Sequence, residues 1–182
     1  MAIRKVAQLG HPVLRLVAKK VPENKIKTPE IQQLIDDLIE TMHEYSGVGL
    51  AAPQVHESLQ IAVMEVNENP RYPDEDEILI TVFINPVITP LTKETMEFWE
   101  GCLSVEGLRG AVSRPKKIRL QALDRDGKKI DKEFEGFSAI AIQHEVDHLF
   151  GKIFIDRVED TTKLAFVEEF RKYHLETAKE LD

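Results

Sequence analysis

The chain has 182 residues, 42% of them hydrophobic, with 24 Lys plus Arg against 32 Asp plus Glu and a formal net charge of −8; that length buries one substantial core, so residues 1–182 are expected to form a single domain. The acidic balance argues against sequence-independent nucleic-acid binding, which needs a basic footprint. One cysteine cannot form an internal disulfide, and no apolar signal core or run near the ~20 residues of a membrane span is present, so a reducing, cytoplasmic setting is expected.

In chain order, the first strong element is a helix from Pro29 to about Tyr45, with Thr28 as N-cap and Ile31, Leu34, Ile35, Leu38, Ile39 and Met42 on one stripe. Gly47 ends it. Gln60–Val66 and Ile78–Ile84 have strand character, separated by an acidic, proline-bearing stretch, Glu68–Glu77, expected to be a solvated loop. Lys117–Leu123 and Lys128–Glu135 bracket Asp124-Arg125-Asp126-Gly127 and predict a hairpin. The hairpin leads into a second helix, where Phe137, Ile140, Ala141, His144, His148 and Leu149 fall at helical spacing and Gly151 offers a stop. Ile142 and Val146 make its other face apolar too, which places it in the core. Thr161 to about Lys179 predicts a final amphipathic helix with Leu164, Val167, Phe170 and Leu175 inward.

The second helix carries His144-Glu145-Val146-Asp147-His148. Four residues on a helix advance about 400°, so both imidazoles leave one face a turn apart and can share an ion. Glu145 lies beside the pair, where it can take a proton from a water and return it to a leaving nitrogen. Two histidines in an apolar helix need partners, and metal ligation supplies them. A catalytic site usually takes three protein ligands. Two residues compete for the third place. Cys102, in Glu100-Gly101-Cys102-Leu103-Ser104, offers a thiolate; Glu168 lies 20 residues beyond His148, as in zinc proteases that draw a glutamate from a later helix. Spacing alone leaves both open.

Gly47-Val48-Gly49-Leu50-Ala51-Ala52-Pro53-Gln54, Glu100-Gly101-Cys102-Leu103-Ser104 and Gln143-His144-Glu145-Val146-Asp147-His148-Leu149 together resemble, in order, the three signature motifs of the peptide deformylase family. The resemblance implies an α+β fold of small antiparallel or mixed sheets around a central buried helix bearing the histidine pair. It implies an enzyme that removes the N-terminal formyl group from formyl-methionyl nascent peptides. It makes Cys102, His144 and His148 the metal ligands and Glu145 the general base and acid. Gln54 and the backbone amide of Leu103 become the donors that hold the oxyanion, a task suited to neutral groups that do not compete for the ion. By the same resemblance the ion is one divalent cation per chain, Fe2+ in the cell, with Zn2+ or Ni2+ as substitutes after purification.

For the substrate, Phe137, Ile140 and Ala141 precede His144 on the same face and form an apolar slot suited to methionine. Family likeness adds Val48 and Phe98 to that wall, Gly49 as a backbone contact to the peptide, and Arg109 at the border of the groove. Two positions depart from the family: Glu106-Gly107 where a proline is common, and Ser46 where an acid often precedes Gly47. Some deformylases dock on the ribosome through a basic C-terminal helix. Here Asp160–Asp182 has four cations against six anions, which argues against such contact. The competing functions are a general metallopeptidase using Glu168, and a catalytically silent homologue that only binds peptides or the ribosome. Retention of Glu145 argues against the silent one.

Overall fold

A computed structural model gives the fold for residues 2–66 and 78–175; the expected acidic loop at 68–77 lies outside the described residues. Helix α1 (Pro29–Glu44) occupies the expected span. Thr28 is its N-cap by backbone position only. Its carbonyl accepts from Gln32 N–H at 3.1 Å, while its hydroxyl makes no capping bond.

Two antiparallel sheets follow. One runs, in spatial order, β1 (Gly49–Ala51), β2 (Ile61–Val66), β3 (Ile78–Pro90), β6 (Lys117–Leu123) and β7 (Lys129–Glu135). The other runs β4 (Thr95–Cys102), β5 (Val105–Pro115) and β8 (Leu164–Phe166). The second helix, α2 (Phe137–Leu149), passes between them, and α3 (Val167–Tyr173) closes the described chain. The α+β class is as expected.

The sequence of β2 explains why the larger sheet lies between two helices. Successive side chains alternate faces, so Ile61 and Val63 join Leu34, Ile35, Leu38 and Met42 of α1, while Ala62 and Met64 join Ile142, Val146 and Leu149 of α2. A strand buried on both faces is apolar on both, as β2 is from Ile61 to Met64 before the half-buried Glu65. Each fully buried aliphatic side chain there contributes about 1.5–3 kcal/mol. α2 is buried from Ala139 to Leu149 without a break, as its all-round apolar pattern requires. Gly151 stops it at φ +71°, where an added Cβ would stand 2.7 Å from the carbonyl oxygen of Arg15.

Two expectations need correction. β3 does not end at Ile84 but continues to Pro90 through an irregularity between Ile84 and Val87. Asn85, at φ +54°, forms that kink, and its amide clamps the Val21 backbone with bonds of 2.8 and 2.9 Å. The final helix does not run from Thr161. Thr161–Lys163 is a 3-10 turn, Leu164–Phe166 is strand β8, and helix α3 begins at Val167 and runs to Tyr173. The reason is tertiary: β5 has a free edge, and pairing Leu108 with Phe166 and Gly110 with Leu164 satisfies its backbone. Phe170 is buried as expected, 5.0 Å from the Trp99 ring, whereas Leu175 is exposed. The expected helical extension to Lys179 lies outside the described residues.

Candidate active site

Cys102 ends β4, and its pairing with Val105 turns its side chain toward α2. There the ligand atoms of Cys102, His144 and His148 all lie within 4.8 Å of one another, with each residue buried. Bonds of about 2.0–2.3 Å to a tetrahedral ion hold ligand atoms roughly 3.5 Å apart, so the three need to draw in only slightly. Cys102 Sγ is already 3.3 Å from His148 Nε2. A soft thiolate with two imidazoles is a donor set for zinc or a late first-row ion. Glu168, the rival third ligand, is exposed at the start of α3 and belongs to no such group among the described residues.

The histidines are held differently. His144 Nδ1 faces the Glu100 carboxylate at 2.8 Å, which leaves Nε2 toward Cys102. Burial alone would lower the His144 imidazole, but the Cys102 sulfur and Glu100 raise it well above its usual range. An ion held by His144 and Cys102 would take the place of that proton. Burial and the neighbouring His144 hold His148 well below its usual range, so its ring is neutral and its lone pair is available.

Behind His144 runs a chain of charges that the sequence did not reveal. Arg114 donates to both Glu100 oxygens, Nη2 at 3.0 Å and Nε at 2.5 Å, and its Nη1 donates to Asp147 at 2.8 Å. Arg157 completes the chain with 2.6 and 3.1 Å bonds to Asp147. Burial would raise Glu100, yet its bonds from His144 and Arg114 keep it below the usual carboxylate range. A signal did exist: Arg114 follows buried Ala111 and Val112, and Asp147 lies inside an apolar helix. Charges in such places demand partners.

Glu145 is 5% exposed, and its Oε2 is buried with no hydrogen-bond partner among the described residues. Burial pushes its carboxyl up to about 7, suited to taking and giving a proton near neutral pH. Gly49 lies against it, and an added Cβ there would come 2.4 Å from Glu145 Oε1. The absent side chain of Gly49 therefore makes room for Glu145 itself.

Gln54 sits in the turn after β1. Ala51 N–H donates to its Oε1 at 2.8 Å, which aims Nε2 at Ser104 Oγ, 3.2 Å, and Cys102 Sγ, 3.5 Å. The same cavity is lined by Val48, Gly49, Gln54, Phe98, Leu103, Phe137, Ile140 and Ala141, so these expected residues converge on one place. Phe98 and Phe137 are in ring contact at 5.4 Å. Arg109 does not line the cavity; its guanidinium lies over Gly101, whose Cβ would approach Nη1 to 2.4 Å. Of the two departures, Gly107 sits at φ +79° within β5 and Ser46 at φ +50° ahead of the cavity rim.

The family model for polypeptide deformylase matches residues 3–164, the stretch that includes every one of these groups. The chain belongs to the polypeptide deformylase family. It is 45% identical to peptide deformylase 2 of Pseudomonas putida over 166 residues, covering 91% of this chain and 93% of that protein. Peptide deformylase of Leptospira biflexa is 43% identical over 170 residues, covering 93% and 95%. Among solved structures, the Met-Ala-Ser-bound class I type b peptide deformylase of Acinetobacter baumannii superimposes with a TM-score of 0.83 at 39% identity, covering 86% of this chain and 99% of that one. Membership in the deformylase family makes the chain a hydrolase of protein biosynthesis that removes formyl groups, and it implies a metal cofactor held by a group such as Cys102, His144 and His148.

Proposed function

We propose that the whole chain serves one catalytic unit that takes the formyl group from formyl-methionyl nascent peptides, with Glu145 as the proton-transfer group. The observation that carries this is the convergence of Cys102, His144 and His148 beside the buried Glu145 oxygen that has no partner among the described residues. Cys102, His144 and His148 would hold the ion, and when bound it supplies Lewis acidity that makes water a nucleophile at neutral pH. The thiolate and imidazole donors accept ferrous iron, zinc or nickel alike, and it is the likeness to the family that favours ferrous iron as the native ion, with zinc or nickel as replacements.

Glu145 takes the proton of the attacking water and passes it to the departing methionyl nitrogen. Gln54 Nε2 and the Leu103 amide donate to the formyl oxygen as it gains negative charge. Phe98, Val48, Phe137, Ile140 and Ala141 form the wall for the methionine side chain, excluding water from it. Arg109, over Gly101, borders the groove, and Gly49 brings backbone close to both Glu145 and the peptide. Among the described residues no helix is long and apolar enough to cross a membrane. The free cysteine fits a cytoplasmic setting, and the acid excess over Asp160–Asp182 argues against ribosomal docking through that stretch.

Turnover of a formyl-methionyl peptide, its acetylated counterpart and its unformylated counterpart tests the reading. Hydrolysis confined to the formylated peptide supports it. Cleavage of an internal bond in the unformylated peptide would restore the metallopeptidase alternative, and binding without turnover the silent one.

A further inference from the structure

The two oxyanion donors proposed above sit on different sheets. Gln54 follows β1, and Leu103 lies in the turn between β4 and β5. That turn consists of Leu103 and Ser104 between the paired Cys102 and Val105. Two-residue hairpin turns that match strand twist require positive φ at one or both central positions. Among the described residues, the non-glycine positions with positive φ are Ser46, His56 and Asn85, so Leu103 and Ser104 lack it. A turn of this kind does not match strand twist by itself; the pairing shifts register between Glu100 and Cys102, and the turn is also held from outside.

The segment Val6–Leu9 supplies that hold. Ala7 N–H donates to the Gln54 carbonyl at 2.7 Å, and Leu9 N–H donates to the Ser104 carbonyl at 2.7 Å. Between them, Gln8 Nε2 donates to the Leu103 carbonyl at 3.0 Å. Val6 and Ala7 are buried and anchor the segment. The bond from Gln8 fixes the Leu103–Ser104 peptide plane, which adjoins, through the Leu103 Cα, the plane that carries the Leu103 N–H. At the other end of that plane Ser104 N–H points at Cys102 Sγ at 3.4 Å, while Ser104 Oγ accepts from Gln54 Nε2.

We propose that Val6–Leu9 is a strap that sets the two oxyanion donors in register, and that Gln8 is a positioning residue for turnover, a role that rests on the oxyanion assignment of Gln54 and Leu103. Gln8 touches no reacting atom. It acts through the Leu103 carbonyl, and its side chain is exposed, so its bond adds little to stability. Misalignment of the donors weakens contacts made in the transition state, which lowers kcat rather than raising KM.

The test uses the metal-loaded enzyme and a formyl-methionyl peptide. Gln8→Ala and Gln8→Leu, the second keeping bulk, are measured alone and combined with Gln54→Ala, with metal content and Tm recorded. Each single Gln8 variant is expected to lose about 10-fold in kcat, to hold KM within about 2-fold and to shift Tm by no more than about 2 °C. In the Gln54→Ala background the Gln8 effect should shrink to less than about 2-fold, because alignment then has only one donor to serve. A slow Gln54→Ala enzyme with Gln8 variants at normal kcat, or an equal Gln8 factor in both backgrounds, overturns the strap alone. Normal kcat in Gln54→Ala itself overturns the oxyanion assignment, and the strap with it.

Discussion

Two ionic clusters tie distant parts of this chain together, and water treats them differently. Behind the candidate metal site, His144, Glu100, Arg114 and Asp147 are all buried, with the Arg114 and Glu100 side chains 4% and 3% exposed. In the second cluster, Arg4 bridges Asp37 at 2.9 Å and Glu57 at 3.0 Å, but Arg4 is 29% and Glu57 45% exposed. The chemistry is the same in both places, guanidinium against carboxylate. In the second cluster, solvent reaches Arg4 and Glu57 and can replace a partner that either loses, although the Asp37 side chain is only 5% exposed. In the first, removing one member strands another charge in a medium that cannot solvate it. The costly cluster is the one that orients a candidate ligand, whereas the inexpensive one fastens the N-terminal segment to α1.

The comparison breaks most visibly at Arg114. Arg114→Met leaves carboxylate oxygens of Glu100 and Asp147 without their buried partner, so denaturant unfolding should show a loss on the order of 3–5 kcal/mol. A loss under about 1 kcal/mol would mean that water reaches the cluster and that the contrast is false.

Glu100→Gln probes the same cluster more gently, since an amide oxygen still accepts from His144 Nδ1 but without charge. Metal affinity measured by chelator competition should fall about 10–100-fold. Unchanged affinity would remove Glu100 from any part in holding the ligand.

Asp37 offers the smallest effect and a sign to check. Burial raises its carboxyl, but hydrogen bonds from Gln33, Arg4 and the Ala2 backbone outweigh burial and hold it below the usual carboxylate range. A depressed folded-state pKa adds stability above the unfolded value of about 3.9, and that stability is lost as pH falls through the folded value. Asp37→Asn should therefore cost about 1 kcal/mol at neutral pH, with the gap to the parent closing below pH ~4. A gap that widened in acid would reverse the assignment.

These clusters also mark the limit of what the sequence made legible. Helix α1, strand β2, the β6–β7 hairpin and the buried α2 were readable because one periodicity dominates each of them. The pair His144 and His148 was readable because helical spacing alone puts both on one face. Glu100 and Arg114 were not, although Glu100 stands inside a recognised motif, because their partnership joins β4 to β5 and depends on strand register. β8 was misread for a related reason: Leu164–Phe166 carries no local strand signal, and only the free edge of β5 selects that conformation. Spacing alone left the choice between Cys102 and Glu168 open; the resemblance of the three motifs favoured Cys102, and its proximity to both histidines agrees.

The most direct test of the central claim is a single preparation of Glu145→Gln in which bound metal and formyl-methionyl peptide turnover are both measured. Glu145 is placed beside the ligands rather than among them, so the variant should keep its metal and lose at least about 10²–10⁴-fold in kcat. Metal-free protein would show that Glu145 is a ligand, and near-normal turnover would show that another group moves the proton. Either result would contradict the site described here.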